Sequence, residues 1–152
     1  MLFVCNGNIC RSPYAEAAAR RALASSSRAP SFGSAGLIGP DRPSPEDAIA
    51  AAAERGIDLA AHRSCLVTPE LASKAELVLV MNSTQRRRLR GMLQLPARRL
   101  MLLGDLDPEP ISTRAIPDPE RRPIEEFRSC YARIDRCVDT LAEALRASPS
   151  VR

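Results

Sequence analysis

The chain is predicted to fold as a single α/β domain, a four-stranded parallel sheet flanked by helices on both faces. Three observations predict it. Short apolar runs alternate with helical patterns from end to end, as crossover-connected parallel strands require. The run Glu76-Leu-Val-Leu-Val-Met81 is almost continuously apolar, which suits a strand covered on both faces. The stretch from Gly104 to Pro123 shows no regular pattern, and compact domains keep loops of that length for function.

Each element follows from local chemistry. Leu2 to Val4 is a short apolar strand. Pro13 opens an alanine-rich helix to about Ser25, with Ala15, Ala18, Ala19 and Ala22 available for close packing. Ser31 to Ser34 reads as a second strand, and Gly36 to Pro45 as a Gly/Pro loop. Ser44 is placed as N-cap of the next helix, with Pro45 at its first position and Gly56 at its end. Thr68-Pro69-Glu70 starts a short helix by the same logic. The strand Glu76 to Met81 leads to a helix from Ser83 to near Gly91, and Leu100 to Leu103 forms the fourth strand. A last helix spans about Ile124 to Arg146, with Phe127, Tyr131, Ile134, Val138 and Leu141 on one face. Cys130 and Cys137, seven apart, share a face of it. The domain is expected over residues 1–147 and a tail over 148–152.

Composition narrows the function. The formal net charge of +4, from 22 basic and 18 acidic residues, is mild. Aromatic residues make up 3% and tryptophan is absent, so no stacking platform for single-stranded nucleic acid is encoded, and no nucleic-acid partner is expected. The arginines of the Arg86-Arg87-Arg88 run and its neighbours read as solvated helix faces, or as a rim that steers anionic phosphoprotein segments. No apolar stretch approaches the ~18 residues of a membrane span. Five cysteines, an odd number, do not form a secreted disulfide framework. With no signal-like segment before the first strand, a reducing cytoplasm is the expected compartment.

The chemistry lies at the start of the chain. Val4-Cys5-Asn6-Gly7-Asn8-Ile9-Cys10-Arg11-Ser12-Pro13 puts a thiol and a guanidinium at opposite ends of one tight turn, before a helix. The backbone N–H groups of residues 6–12 make an anion nest, and the helix N-terminus adds its unpaired donors and positive dipole end. The planar fork of Arg11 grips two oxygens at once. The same electropositive setting favours the reactive form of Cys5. Gly7 lets the backbone curl toward a ligand, and Asn8 tolerates a left-handed conformation. Ser12 is within reach of the Cys5 sulfur. The combination fits nucleophilic attack on a phosphate monoester through a cysteinyl-phosphate. A nucleotide loop is excluded because Gly-Lys-Ser/Thr is absent, and a dinucleotide fingerprint because Gly7 stands alone. A zinc half-site at Cys5 and Cys10 lacks a plausible remainder, so no metal is expected. A simple buried thiol at Cys5 remains the bland alternative.

The segment Val4 to Glu16 resembles the low-molecular-weight protein tyrosine phosphatases, and the resemblance extends over nearly the whole chain. It implies a phosphotyrosine phosphatase I-like fold, Cys5 as nucleophile, Arg11 as phosphate clamp, and no cofactor. It implies a general acid in a late Asp-Pro pair. Asp107-Pro108 and Asp118-Pro119 both look like turns from composition alone; Ile116-Pro117-Asp118-Pro119, ahead of the last helix, matches the family. Ser34 of Ser34-Ala35-Gly36 and His62, after Gly56-Ile57, match residues that support the phosphate loop together with Asn8. Cys10 matches a family cysteine that protects the nucleophile through a reversible disulfide. The implied partner is a tyrosine-phosphorylated protein, such as a bacterial tyrosine kinase.

The chain departs from the family at the pocket mouth. Glu120 and Arg121 stand where tyrosines are usual, and Leu37 and Ile38 form the expected apolar wall in a shortened loop. Cys65 replaces a common arginine, and Asn82 a usual aspartate. Arsenate reductases of this fold need a further cysteine pair in mid-chain, which residues 82–91 lack. Arginine phosphatases of this fold carry threonine at the position of Ile9. A phosphopeptide- or anion-binding module that turns over slowly is the non-enzymatic alternative.

Overall fold

The computed structural model describes residues 1–27 and 29–147; the expected tail, 148–152, lies outside the described residues. Four strands, β1 (Leu2–Cys5), β2 (Gly33–Gly36), β3 (Val78–Val80) and β4 (Leu100–Leu102), form one all-parallel sheet in the order β2-β1-β3-β4. Five α-helices accompany them: α1 (Arg11–Ala22), α2 (Glu46–Ala53), α3 (Pro69–Lys74), α4 (Ser83–Leu93) and α5 (Ile124–Ala147).

The period of two in the strands divides the core into two layers. Phe3, Cys5, Leu79 and Met81 belong to one cluster, with Tyr14, Phe127, Tyr131 and Ile134 of α1 and α5. Leu2, Val4, Val78 and Val80 belong to the other, with Ala72 of α3 and Leu89 of α4. The sheet is thus covered on both faces, as its apolar runs predict. On the first face, α1 and α5 are joined by Tyr14 and Tyr131, whose rings stack at 3.8 Å and 2°. The Tyr131 hydroxyl reaches on to the Cys10 carbonyl at 3.4 Å, so the last helix backs the Cys5–Ser12 turn.

Several boundaries differ from the sequence reading for identifiable reasons. α1 begins at Arg11, not Pro13, because the tight turn already directs the chain into helical geometry and Pro13 needs no N–H in the first turn. β2 lies two residues later, at Gly33–Gly36, where it pairs in register with Leu2–Cys5. Pro45, not Ser44, caps α2, and it offers no side-chain cap; Ser44 is buried instead. The stop at Gly56 holds: with φ of +74°, its N–H bonds Ala53 and the Ile57 N–H bonds Ala52, closing a Schellman-type end. α4 runs through Gly91 to Leu93, and Asn82 caps it by accepting from the Gln85 N–H at 2.9 Å. The irregular stretch contains one 3₁₀ turn, Leu103–Leu106.

Candidate active site

Cys5 ends β1 at the carboxyl edge of the sheet, where open parallel sheets hold their ligands. Gly7 to Ser12 are buried. The chain turns within these residues because Asn8 adopts a left-handed φ of +52°. Its N–H then donates to Cys5 Sγ at 3.2 Å. No hydrogen bond among the described residues uses the N–H groups of Gly7, Ile9, Cys10, Arg11 or Ser12. Buried backbone donors without partners are rare, and a row of them is what an oxyanion site needs. Arg11 is 2% exposed, and its Nε is also buried without a hydrogen-bond partner.

Asn8 organises the turn from the inside. Its Nδ2 donates to Ser12 Oγ at 2.9 Å and to Ser34 Oγ at 3.0 Å, and its Oδ1 accepts from the Cys65 N–H at 2.9 Å. His62 Nε2–H donates to the Asn8 carbonyl at 2.6 Å. The structure therefore brings Asn8, Ser34 and His62 into one cluster. Asn8 fills one acceptor position of Ser12 Oγ, and the single Ser12 proton has two neighbours within reach. Cys5 Sγ, at 3.0 Å, is a nearer acceptor for it than the Ala35 carbonyl at 3.4 Å. The neighbouring strand leaves no spare room: a Cβ on Gly36 would stand 3.0 Å from the Asn6 carbonyl and from Asn8.

The late loop reaches the same place. Arg11 Nη1 donates to the Ile116 carbonyl at 3.1 Å, and its Nη2 is ion-paired with Asp118. The Ile116 N–H returns to the Met81 carbonyl at 2.8 Å, so the loop is pinned to the end of β3. Arg133 of α5 holds it from behind, donating to the carbonyls of Ala115 at 2.8 Å and Thr113 at 2.6 Å. Arg133 and Arg136 both bond the fully buried Asp107 carboxylate at 3.0 Å. Burial pushes that carboxyl up, but the hydrogen bonds from Arg136, the Glu109 N–H and Arg133 outweigh it and leave it below its ordinary range.

A cleft of about 340 Å³ opens between these parts. Asn6, Arg11 and Leu37 line one side, residues 115–118 another, and Asn82, Thr84, Gln85 and Arg88 of the α4 region a third. Of the expected apolar wall, Leu37 is in the lining, whereas Ile38 is 43% exposed. Glu120 pairs with Arg42 at 3.2 Å, and Arg121 is exposed at φ of +61°. An ion pair thus occupies the region where an aromatic wall is usual. Sequence reasoning did not single out Arg42, Thr84 or Gln85, and it read Arg88 only as part of an arginine run on a solvated face or a steering rim. For Thr84, Gln85 and Arg88 the available signal was position: the residues after Met81 follow a central parallel strand at its carboxyl end.

The cysteines separate by environment. Burial pushes the Cys10 thiol well above its ordinary range, with Cys5 and Asp118 adding to it. Burial likewise pushes Cys130 and Cys137 up to about 12. All five cysteines are free, and Cys65 is exposed.

The whole chain can be set beside known proteins. The pattern of the family described as "Low molecular weight phosphotyrosine protein phosphatase" matches residues 1–150. A probable low molecular weight protein-tyrosine-phosphatase, EpsP of Ralstonia solanacearum, is 35% identical over 147 residues, covering 97% of this chain and 96% of its own. The crystal structure of the tyrosine phosphatase Wzb from Escherichia coli K30, in complex with sulphate, superposes with a TM-score of 0.83 at 32% identity, over 95% of this chain and 96% of that one. The YwlE arginine phosphatase, known from Bacillus subtilis, superposes with a TM-score of 0.87 at 25% identity, over 97% of this chain and 95% of its own. With a parallel sheet, a Cys-x₅-Arg turn at its carboxyl edge and a full-length match, this chain belongs to the low molecular weight phosphotyrosine protein phosphatases, enzymes that work through a cysteinyl-phosphate.

Proposed function

We propose that the chain removes phosphate from phosphotyrosine in a protein substrate, with Cys5 as nucleophile, Arg11 as phosphate clamp and Asp118 as general acid and then base. Cys5 Sγ attacks phosphorus, and the P–S bond forms as the bond to the phenolic oxygen breaks. Asp118 in its acid form hands its proton to that leaving oxygen. Water then attacks the phosphocysteine, gives its proton to Asp118, and releases inorganic phosphate from the sulfur. The Ser12 hydroxyl, 3.0 Å from Cys5 Sγ, stabilises the departing thiolate. The N–H groups of residues 6–12 and the fork of Arg11 hold the equatorial oxygens, where charge is spread in the transition state. Asn8, Ser34 and His62 keep the turn in shape, and Cys10 serves as the nearby thiol for redox protection of Cys5.

The observation that carries this reading is the contact of Arg11 with Asp118 beside a turn whose N–H groups at Gly7, Ile9, Cys10, Arg11 and Ser12 have no hydrogen-bond partner among the described residues. A phosphate seated on Arg11 replaces the Asp118 carboxylate at Nη2 and leaves Asp118 beside the leaving group. The sulphate bound by the related Wzb supports an oxyanion as ligand. The physiological substrate is placed among tyrosine-phosphorylated proteins, a bacterial tyrosine kinase included. Five free thiols support a reducing, cytoplasmic setting. Among the described residues, no helix is long and apolar enough to cross a membrane.

The test is hydrolysis of p-nitrophenyl phosphate by the wild-type and Cys5→Ser proteins, at mildly acidic pH with reductant. Turnover by the wild type, abolished in Cys5→Ser, is expected. Equal turnover by the two proteins would overturn the assignment.

A further inference from the structure

The α4 side of the cleft continues into a strongly basic surface. α4 turns Gln85 and Leu89 inward and leaves Arg86, Arg87, Arg88 and Arg90 exposed. None of these four has an ion-pair or hydrogen-bonding side-chain partner among the described residues. By contrast, Arg20, Arg55, Arg128, Arg133 and Arg136 each face a carboxylate. The free arginines are not randomly placed. Arg88 lies four residues after Thr84 and three after Gln85, on the flank that lines the catalytic cleft. Arg86, Arg87 and Arg90 line a second groove, of about 440 Å³, on the other flank, together with Ser83, Ala97 and Leu100. No acidic residue lines that groove.

The helix between the two grooves is about 10 Å across, which three residues of extended chain span at about 3.3 Å each. A peptide leaving the cleft past Arg88 therefore reaches the three further arginines within a few residues of its phosphorylated side chain. Resting on the phosphatase reading of the cleft, we propose that this flank of α4 docks acidic residues of the substrate, aspartate or glutamate about three to six positions from the phosphotyrosine. Guanidinium forks match carboxylates in a bidentate manner, and an uncompensated cluster also steers acidic segments during encounter. The second groove offers no aromatic ring on which a nucleobase could stack. Its place on the far flank of the helix that walls the catalytic cleft favours a segment of the same substrate over a flat lipid surface.

The experiment compares two phosphotyrosyl peptides of equal length, one with neutral flanks and one with glutamates three to six positions from the phosphotyrosine, made with the acidic run on either side. They are tested on the wild type and on an Arg86→Glu, Arg87→Glu, Arg90→Glu triple variant. The wild type is expected to favour one acidic peptide by about tenfold in kcat/KM, mainly through KM, as the sum of several small exposed charge pairs. That preference should fall below about twofold in the triple variant and at high salt. Hydrolysis of p-nitrophenyl phosphate by the triple variant should stay within about twofold of wild type, showing that the cleft is intact. Binding of the same peptides to Cys5→Ser, read by calorimetry, should repeat the preference without turnover. A wild-type preference near one, or a preference that survives the triple substitution, would overturn the proposal. So would binding to phosphatidylserine vesicles that depends on these arginines in a protein without peptide preference. Preferential binding by a chain that does not hydrolyse p-nitrophenyl phosphate would count against the phosphatase reading and leave the docking surface standing.

Discussion

Arg11 holds Asp118 across 107 residues of sequence. The same guanidinium donates to the Ile116 carbonyl at 3.1 Å, two residues earlier in that loop. One side chain, nearly fully buried at the start of α1, therefore both belongs to the Cys5–Ser12 turn and sets the position of the loop that carries Asp118. The two halves of the site are joined before any substrate arrives.

Arg11→Lys tests that double role. An ammonium keeps the charge but not the fork, so it cannot serve Ile116, Asp118 and a phosphate from one planar group. The expected loss in kcat/KM for p-nitrophenyl phosphate is at least about 10²-fold, at roughly the level of losing an oxyanion donor. A variant within a fewfold of wild type would show that charge alone suffices.

Asp118→Asn separates proton transfer from binding. With phenyl phosphate, whose leaving group needs a proton, kcat/KM is expected to fall by about 10²–10⁴-fold. With p-nitrophenyl phosphate, whose leaving group is stable without one, the fall should be much smaller. Steady-state kinetics on the two esters reads the difference; equal losses on both would remove Asp118 from the acid role.

Gly104→Ala should disturb the loop from a distance. A Cβ there would stand 1.9 Å from the Arg114 carbonyl oxygen and 2.9 Å from its carbon, which are backbone atoms and cannot swing aside. The expected cost is about 2–3 kcal/mol, or a lowering of Tm by roughly 5–10 °C. Thermal unfolding followed by circular dichroism measures it. An unchanged Tm would mean that residues 104–114 move independently of the sheet.

Asp107→Asn tests the anchor behind the same loop. The Asp107 carboxyl sits below its ordinary value of 3.8 when folded, so its ionised form adds stability above that pH and the contribution is lost as pH falls through the folded value. Removing the charge leaves Arg133 and Arg136 facing a neutral group, at an expected cost of about 3 kcal/mol at pH 7. The gap between wild type and variant should narrow as the pH falls below the ordinary value of 3.8 and through the lower folded value. Urea unfolding at several pH values checks it; a pH-independent gap would point to packing instead of charge.

Much of this site was legible because its chemistry is local. Cys5, Asn8, Arg11 and Ser12 lie within one turn, and a turn between a strand and a helix can be read from eight consecutive residues. The β3 strand was equally legible, since an apolar run in a doubly covered sheet has no competing explanation. The shift of β2 by two residues was not, because Ser31 to Gly36 has weak strand propensity throughout and only pairing with β1 selects the register. Thr84 and Gln85 of the α4 wall were missed for a different reason. They join the cleft through the order of strands in the sheet, and residue spacing carries no trace of that. Ser44 fits a capping pattern by composition, yet it is buried one residue before the helix cap.

The most direct test of the account is to catch the intermediate. Wild-type protein mixed with p-nitrophenyl phosphate, quenched in acid within one turnover and digested, should yield a peptide with phosphate on Cys5 by mass spectrometry, and none on Cys10. A Cys5 peptide without phosphate while p-nitrophenol has been released in a burst, or phosphate found on another residue, would contradict it.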